Sequence, residues 1–190
     1  GSEDKTIKLW NVDKRECIHT FEGHRSTVHS VVFSPKDKQV ASESWDNTIK
    51  LWNTKKRKCL HTFEGHEDGF SSVAFSRDGK LVASESDNKT IKLWDVVKRE
   101  CTHTFEGHYM SVCSVAFSPN GKLLASGSYG TIKLWNVDKR ECIHTFEGHK
   151  DSIISVVFSP DGKLVASGSE DETIKLWNVS MLINNDKSES

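Results

Sequence analysis

Residues 6–24 read TIKLWNVDKRECIHTFEGH, and residues 131–149 read the same letters again. Close variants occupy 48–66 (TIKLWNTKKRKCLHTFEGH) and 90–108 (TIKLWDVVKRECTHTFEGH). The Gly-His pairs at Gly23-His24, Gly65-His66, Gly107-His108 and Gly148-His149 lie 42, 42 and 41 residues apart. Trp10, Trp52, Trp94, Trp135 and Trp177 keep the same period. A fixed period of this size means one supersecondary unit copied several times.

Working outward from the Trp, one unit reads as four short strands. Between residues 65 and 107, Phe70–Phe75 is an apolar run that ends at the Asp78-Gly79 turn signal. Leu81–Ser86 is a second strand and Thr90–Trp94, alternating in polarity, a third. Glu100–Phe105 is the fourth, before Gly107-His108 opens the next unit. Helical periodicity is absent from the unit. The reading is all-β: an antiparallel meander repeated around a common core.

The bulk numbers narrow the function. The chain has 190 residues and a formal net charge of −1. A general nucleic-acid binder needs a basic surface, so nucleic acid is not an expected partner. The longest apolar runs fall far short of the ~18–20 residues of a membrane span, so no membrane association is expected. The chain opens inside a repeat with no visible signal peptide. Cys17, Cys59, Cys101 and Cys142 share one repeat position, side by side and not clustered, so neither a metal site nor a disulfide framework follows. An intracellular, cytoplasmic setting is expected, in the sense of a reducing compartment. No cofactor is expected, and no P-loop is present.

The succession Gly-His, Phe-Ser-Pro-Asp-Gly, Ala-Ser-Gly-Ser and Ile-Lys-Leu-Trp resembles the WD-repeat β-propeller family. Copies this similar also resemble the repeat arrays attached to bacterial and fungal signalling proteins. The likeness runs from about Ser2 to Val179, with partial unit 1–24, units 25–66, 67–108, 109–149 and 150–179, and a polar tail at 181–190. Only Trp94-Asp95 keeps the family's Trp-Asp ending; Asn11, Asn53, Asn136 and Asn178 replace the Asp elsewhere.

The resemblance implies a buried hydrogen-bond chain of His, Ser, Asp and Trp in each blade. The matching residues are His24, Ser42, Asp46 and Trp52; His66, Ser84, Asn88 and Trp94; His108, Ser126 and Trp135; and His149, Ser167, Asp171 and Trp177. Ser, His and Asp together suggest a hydrolase triad, but a set copied every 42 residues is structural, since an enzyme needs one site. No catalytic residue is assigned. Asn88 replaces the Asp in one unit, which is read as giving His108 a neutral amide for a partner. The next unit, Ser128-Tyr129-Gly130-Thr131, is one residue short, so the network around Trp135 has no carboxylate. His19, His61, His103 and His144 recur on the fourth strand and read as solvated edge residues.

Counting gives 17 strands: a third and fourth strand at the N-terminus, three full blades (Val28–Phe63, Phe70–Phe105, Val112–Phe146) and three strands in Ile153–Val179. Four blades' worth per chain is too few for wedges of this family's shape, where rings run from roughly 4 to 8 blades. An eight-bladed ring closed by two chains, a homodimer, is the expectation, each N-terminal fourth strand completing the partner's last blade. Thr6–Val12 is then surplus and expected to be displaced at the seam. The rival is a tract of a longer array, without a function of its own.

The expected function is a protein-interaction scaffold without catalysis, for a protein partner left unidentified. Candidate contacts are the residues that vary while the frame stays fixed: Trp45, His29, Phe70, Tyr109, Tyr129 and Ile154. Trp45 stands where other units carry Glu, Asp or Tyr. The alternative is a multivalent small-ligand or glycan-binding propeller, although no unit repeats an aromatic-plus-carboxylate pocket. Lys55-Lys56-Arg57-Lys58 on the opposite face reads as a solvated turn.

Overall fold

The Ile-Lys-Leu-Trp strands set the frame, because their apolar residues alternate with polar ones and bury one face. A computed structural model of the chain describes residues 1–66 and 72–184. Among them are sixteen strands. An N-terminal hairpin pairs β1 (Ile7–Asn11) with β2 (Glu16–Phe21). Blade one is β3 (Val28–Phe33), β4 (Gln39–Ser44), β5 (Thr48–Asn53) and β6 (Lys58–Glu64). Blade two is β7 (Val73–Phe75), β8 (Leu81–Glu85), β9 (Ile91–Asp95) and β10 (Glu100–Phe105). Blade three begins with β11 (Ser114–Phe117), β12 (Leu123–Gly127) and β13 (Tyr129–Asn136). Then β14 (Glu141–Phe158) leads to β15 (Leu164–Ser169), β16 (Ile174–Asn178) and a short helix, α1 (Ser180–Asn184). Every pairing is antiparallel between sequence neighbours.

The expected count of 17 strands is corrected to sixteen described ones because β14 serves two blades. Its first part pairs with β13 and its last part with β15. The cause is the residue missing from the Ser128–Thr131 turn. Without a full turn, Tyr129 pairs with Ser152 and Thr131 with Glu147, so the connection is zipped into the sheet. Gly130, at φ 68, takes the left-handed conformation this shortened corner demands.

Between blades lies the core. Ile49 and Leu51 of blade one meet Val73, Phe75 and Trp94 of blade two; the same arrangement recurs at the next two junctions. The first strands are also stapled by hydrogen bonds: Val73 N–H donates to Ser30 Oγ (3.4 Å), Val115 N–H to Ser72 Oγ (3.4 Å) and Val156 N–H to Ser114 Oγ (3.1 Å). On the outer strands Phe21, Phe63, Phe105 and Phe146 each rest against the Trp of the following blade, with ring centroids 5.0–5.3 Å apart.

In the single chain, where no second copy competes for its slot, Thr6–Val12 stays paired with β2. Ile7 and Phe21 pack with Val28, Val40 and Trp52, which ties the hairpin to blade one. The Asn that replaces Asp after each Trp is accounted for by the third turn. Its Oδ1 accepts the N–H three residues on at Asn11, Asn53 and Asn136 (2.6–2.8 Å), as Asp95 does from Lys98 (2.8 Å). An amide oxygen suffices for that bond.

Candidate functional site

The recurring polar residues converge where the Gly-His corner folds over the second and third strands of each blade. In blade one, the Trp52 indole N–H donates to Ser42 Oγ (2.7 Å). Ser42 Oγ lies 2.7 Å from His24 Nε2, and His24 Nδ1 lies 2.9 Å from Asp46 Oδ2. Asp46 is acceptor-only when ionised, so His24 Nδ1 carries the proton, and Nε2 accepts from the Ser42 hydroxyl. Every donor then has an acceptor around a neutral imidazole. Burial, the largest effect, lowers the His24 pKa against the opposing pull of Asp46. For Asp46 burial works upward, but hydrogen bonds from Thr48, Arg25 N–H and His24 outweigh it and hold the carboxyl below its usual range. Blade four repeats the set: Trp177 to Ser167, Ser167 to His149 (both 2.8 Å) and His149 Nδ1 to Asp171 (2.8 Å).

The two middle blades depart from it. His66 Nε2 meets Ser84 Oγ at 2.8 Å, and Trp94 donates to the same oxygen at 2.8 Å. Asn88 lies 22 residues past His66, the offset that joins His24 to Asp46. The neutral amide therefore belongs to the His66 blade and not to His108, which corrects the sequence-based pairing. Its Oδ1 accepts from Thr90 N–H (3.2 Å) and Thr90 Oγ1 (2.6 Å). His108 meets Ser126 at 2.6 Å and Trp135 donates to Ser126 at 2.8 Å. His108 Nδ1 has no hydrogen-bond partner among the described residues, because the short corner carries no Asp. Burial pushes the His66 pKa down to about 3 and the His108 pKa down to about 4, with Lys92 and Lys133 adding to it.

A Ser-His-Asp chain with these distances resembles a hydrolase triad in connectivity. Here Ser42 is fully buried and hydrogen-bonded to both Trp52 and His24, so no substrate reaches its oxygen. The arrangement holds a corner together.

On the face of the Gly-His corners, Trp45, His29, Tyr109, Tyr129 and Ile154 are exposed. Trp45 and His29 are brought together, with ring centroids 4.4 Å apart and a 30° tilt. Trp45 N–H is fixed to Thr27 O (3.0 Å), and the equivalent Glu170 N–H to Ser152 O (2.9 Å). Phe70 lies outside the described residues. His19, His61, His103 and His144, expected to be merely solvated, also stand edge-on to the Phe two residues on, at 4.4–4.6 Å.

Glu43 and Glu85 are the residues that the repeat reading passed over. Both are fully buried on the second strand, where the later blades have Gly127 and Gly168. A Cβ at Gly127 would lie 2.6 Å from Ile153 Cγ2 of blade four. A side chain here therefore competes with the first strand of the next blade. The ladder after Gly127 starts at Ile153, whereas the one after Glu85 starts only at Ser114. The signal was Ser-Glu-Ser in two units against Ser-Gly-Ser in two others. Burial, then Glu85 and Asp87, push the Glu43 pKa up to about 9.

Repeated four-stranded sheets pinned by a His-Ser-Trp corner define a WD-repeat protein of the β-propeller type. The chain belongs to the WD40 family: the family model for the WD domain, G-beta repeat, matches residues 15–53, 57–95, 99–136 and 140–178. It is 46% identical over 37 residues to a probable E3 ubiquitin ligase complex SCF subunit, sconB, of Talaromyces stipitatus. It is 47% identical over 38 residues to the mouse F-box-like/WD repeat-containing protein TBL1X. To the Lissencephaly-1 homolog of Heterostelium pallidum it is 43% identical over 42 residues. These matches cover 20–22% of this chain and 6–10% of the relatives' lengths. No helix among the described residues is long and apolar enough to cross a membrane.

Proposed function

We propose that this chain is a protein-interaction scaffold, and that two copies close one eight-bladed ring. The observation that carries the ring is the open flank of blade four. Ile174 and Leu176 are 80% and 67% exposed, whereas Ile132 and Leu134 at the same positions in blade three are fully buried. A face that is core in every interior blade is matched by what covers it there: an outer strand and a following blade. The partner's β2 has the sequence that supplies the first, since β1–β2 and the β13–β14 ladder share the residues TIKLWNVDKRECIHTF.

In this ring β16 keeps its place and β1 gives way. Trp177 anchors β16 through Ser167, while Trp10 on β1 is exposed. The scaffold reading rests on family membership and on the exposed Trp45–His29 pair, with Tyr109, Tyr129 and Ile154 on the same face. The masses of purified chains test the ring. Light scattering across a concentration series should give a single species near twice 21.4 kDa. A 21.4 kDa monomer throughout overturns the ring, and a ladder of masses shows seams that pair without closing.

A further inference from the structure

Five equivalent loop tips follow one another around the chain: Glu3, Trp45, Asp87, Tyr129 and Glu170. They read acid, aromatic, acid, aromatic, acid. All five are exposed, Trp45 by 56% and Tyr129 by 52%. No unit carries both kinds of group, but every neighbouring pair does. Backbone bonds fix the tips to one face, as described for Trp45 and Glu170, and Ser111 Oγ donates to Asp87 O (3.2 Å). His29 holds the Trp45 indole from one side.

Two observations describe the charge beside the strip. The first lies two residues before Trp45. The Glu43 carboxyl is fully buried, and neither of its oxygens has a hydrogen-bond partner among the described residues. Its acidic neighbours are Glu85 and Asp87. The second is Cys113, between Asp87 and Glu170 in the ring order. Burial, then Glu85, Asp87 and Glu170, raise its thiol pKa. Carboxylates of two blades, Glu85 and Asp87 of blade two and Glu170 of blade four, thus act on Cys113. An aromatic face carries a negative quadrupole, so Trp45 and Tyr129 favour the same kind of ligand as the acids beside them.

We propose that this strip binds a basic segment of a protein partner, with Lys or Arg side chains lying over Trp45 and Tyr129 and paired with Asp87 and Glu170. The proposal rests on the scaffold reading and names its partner class. Arg suits it best, because its planar guanidinium stacks on a ring while donating to a carboxylate.

The test uses the full chain and three fluorescein-labelled decapeptides, alternating Arg-Ser, Lys-Ser and Glu-Ser, followed by anisotropy. The expected order is Arg tighter than Lys, with no binding of Glu. Trp45→Ala and Tyr129→Ala should each weaken the Arg peptide by about 2–5-fold, the range of an exposed cation–π contact. Asp87→Asn with Glu170→Gln should weaken it further and flatten its salt dependence. Trp10→Ala, an exposed Trp on the hairpin, should leave binding unchanged. Absence of Arg-peptide binding overturns the proposal. So does binding that falls with salt but ignores Trp45→Ala and Tyr129→Ala, which is diffuse attraction only. The same samples are sized by light scattering. A dimer that does not bind the peptide sinks this proposal alone; a monomer that binds it sinks the ring alone.

Discussion

Replacing Glu43 by Gln removes one ionisation and keeps nearly the same shape, so it isolates what a buried carboxyl does to this fold. Native Glu43 keeps its proton until about pH 9, held by burial and by Glu85 and Asp87, while the unfolded chain releases it near 4.5. Between those values the native state binds the extra proton. Its contribution is therefore fully present below pH 4.5 and is lost as pH rises toward 9. The slope is about 1.4 kcal/mol per pH unit, or about 2–3 kcal/mol between pH 6.5 and 8.5. His66 and His108 act on the other side. With native pKa values of about 3 and about 4, they contribute stability above their ordinary 6.5 that is lost as pH falls toward 4. The wild-type chain should thus be most stable near pH 6.5. Urea unfolding at half-unit steps from pH 5 to 8.5 reads both limbs. Glu43→Gln should abolish the alkaline limb and spare the acid one. Curves for variant and wild type that stay parallel from pH 6.5 to 8.5 would refute the reasoning.

Asn88→Asp restores the carboxylate that His24 and His149 have. It should raise the His66 pKa from about 3 and stabilise the chain by about 1–2 kcal/mol, as read by an NMR titration and a urea midpoint. An unchanged His66 titration would mean that the corner cannot adopt the blade-one geometry. Gly127→Ala should destabilise by about 1–3 kcal/mol through its contact with Ile153, whereas Gly168→Ala, with nothing within 4 Å in the single chain, should shift the monomer midpoint by less than about 0.5 kcal/mol. Equal costs at the two glycines would contradict the inter-blade packing. Ser42→Ala leaves the Trp52 indole and His24 without their shared partner and should cost about 1–3 kcal/mol, checked by thermal unfolding.

The period carried most of the architecture. Gly-His, the strand Ser and the Trp recur in register, and their spacing alone brings Ser42, His24 and Trp52 within hydrogen-bond reach. Three things escaped a unit-by-unit reading. The fusion of two strands into β14 came from one missing residue whose effect is felt on the other side of the corner, at Ser152. The assignment of Asn88 to His108 failed because the His lies at the start of its own blade, 22 residues before the loop Asp, as in His24–Asp46. Glu43 and Glu85 looked like surface variation, since alternation along a strand cannot reveal that its other face meets the next blade. Trp45 was legible as an odd residue in its column, but its contact with His29 depended on the fold.

The central claim is that the partner's β2 covers the open edge of β16, and hydrogen exchange of those Ile174–Asn178 amides that do not bond β15 tests it most directly. In the ring these amides should be protected like Ile132–Asn136 of β13, and protection should fall on dilution as copies separate. Rapid exchange at every concentration, with β13 protected throughout, would show an edge that no second copy covers.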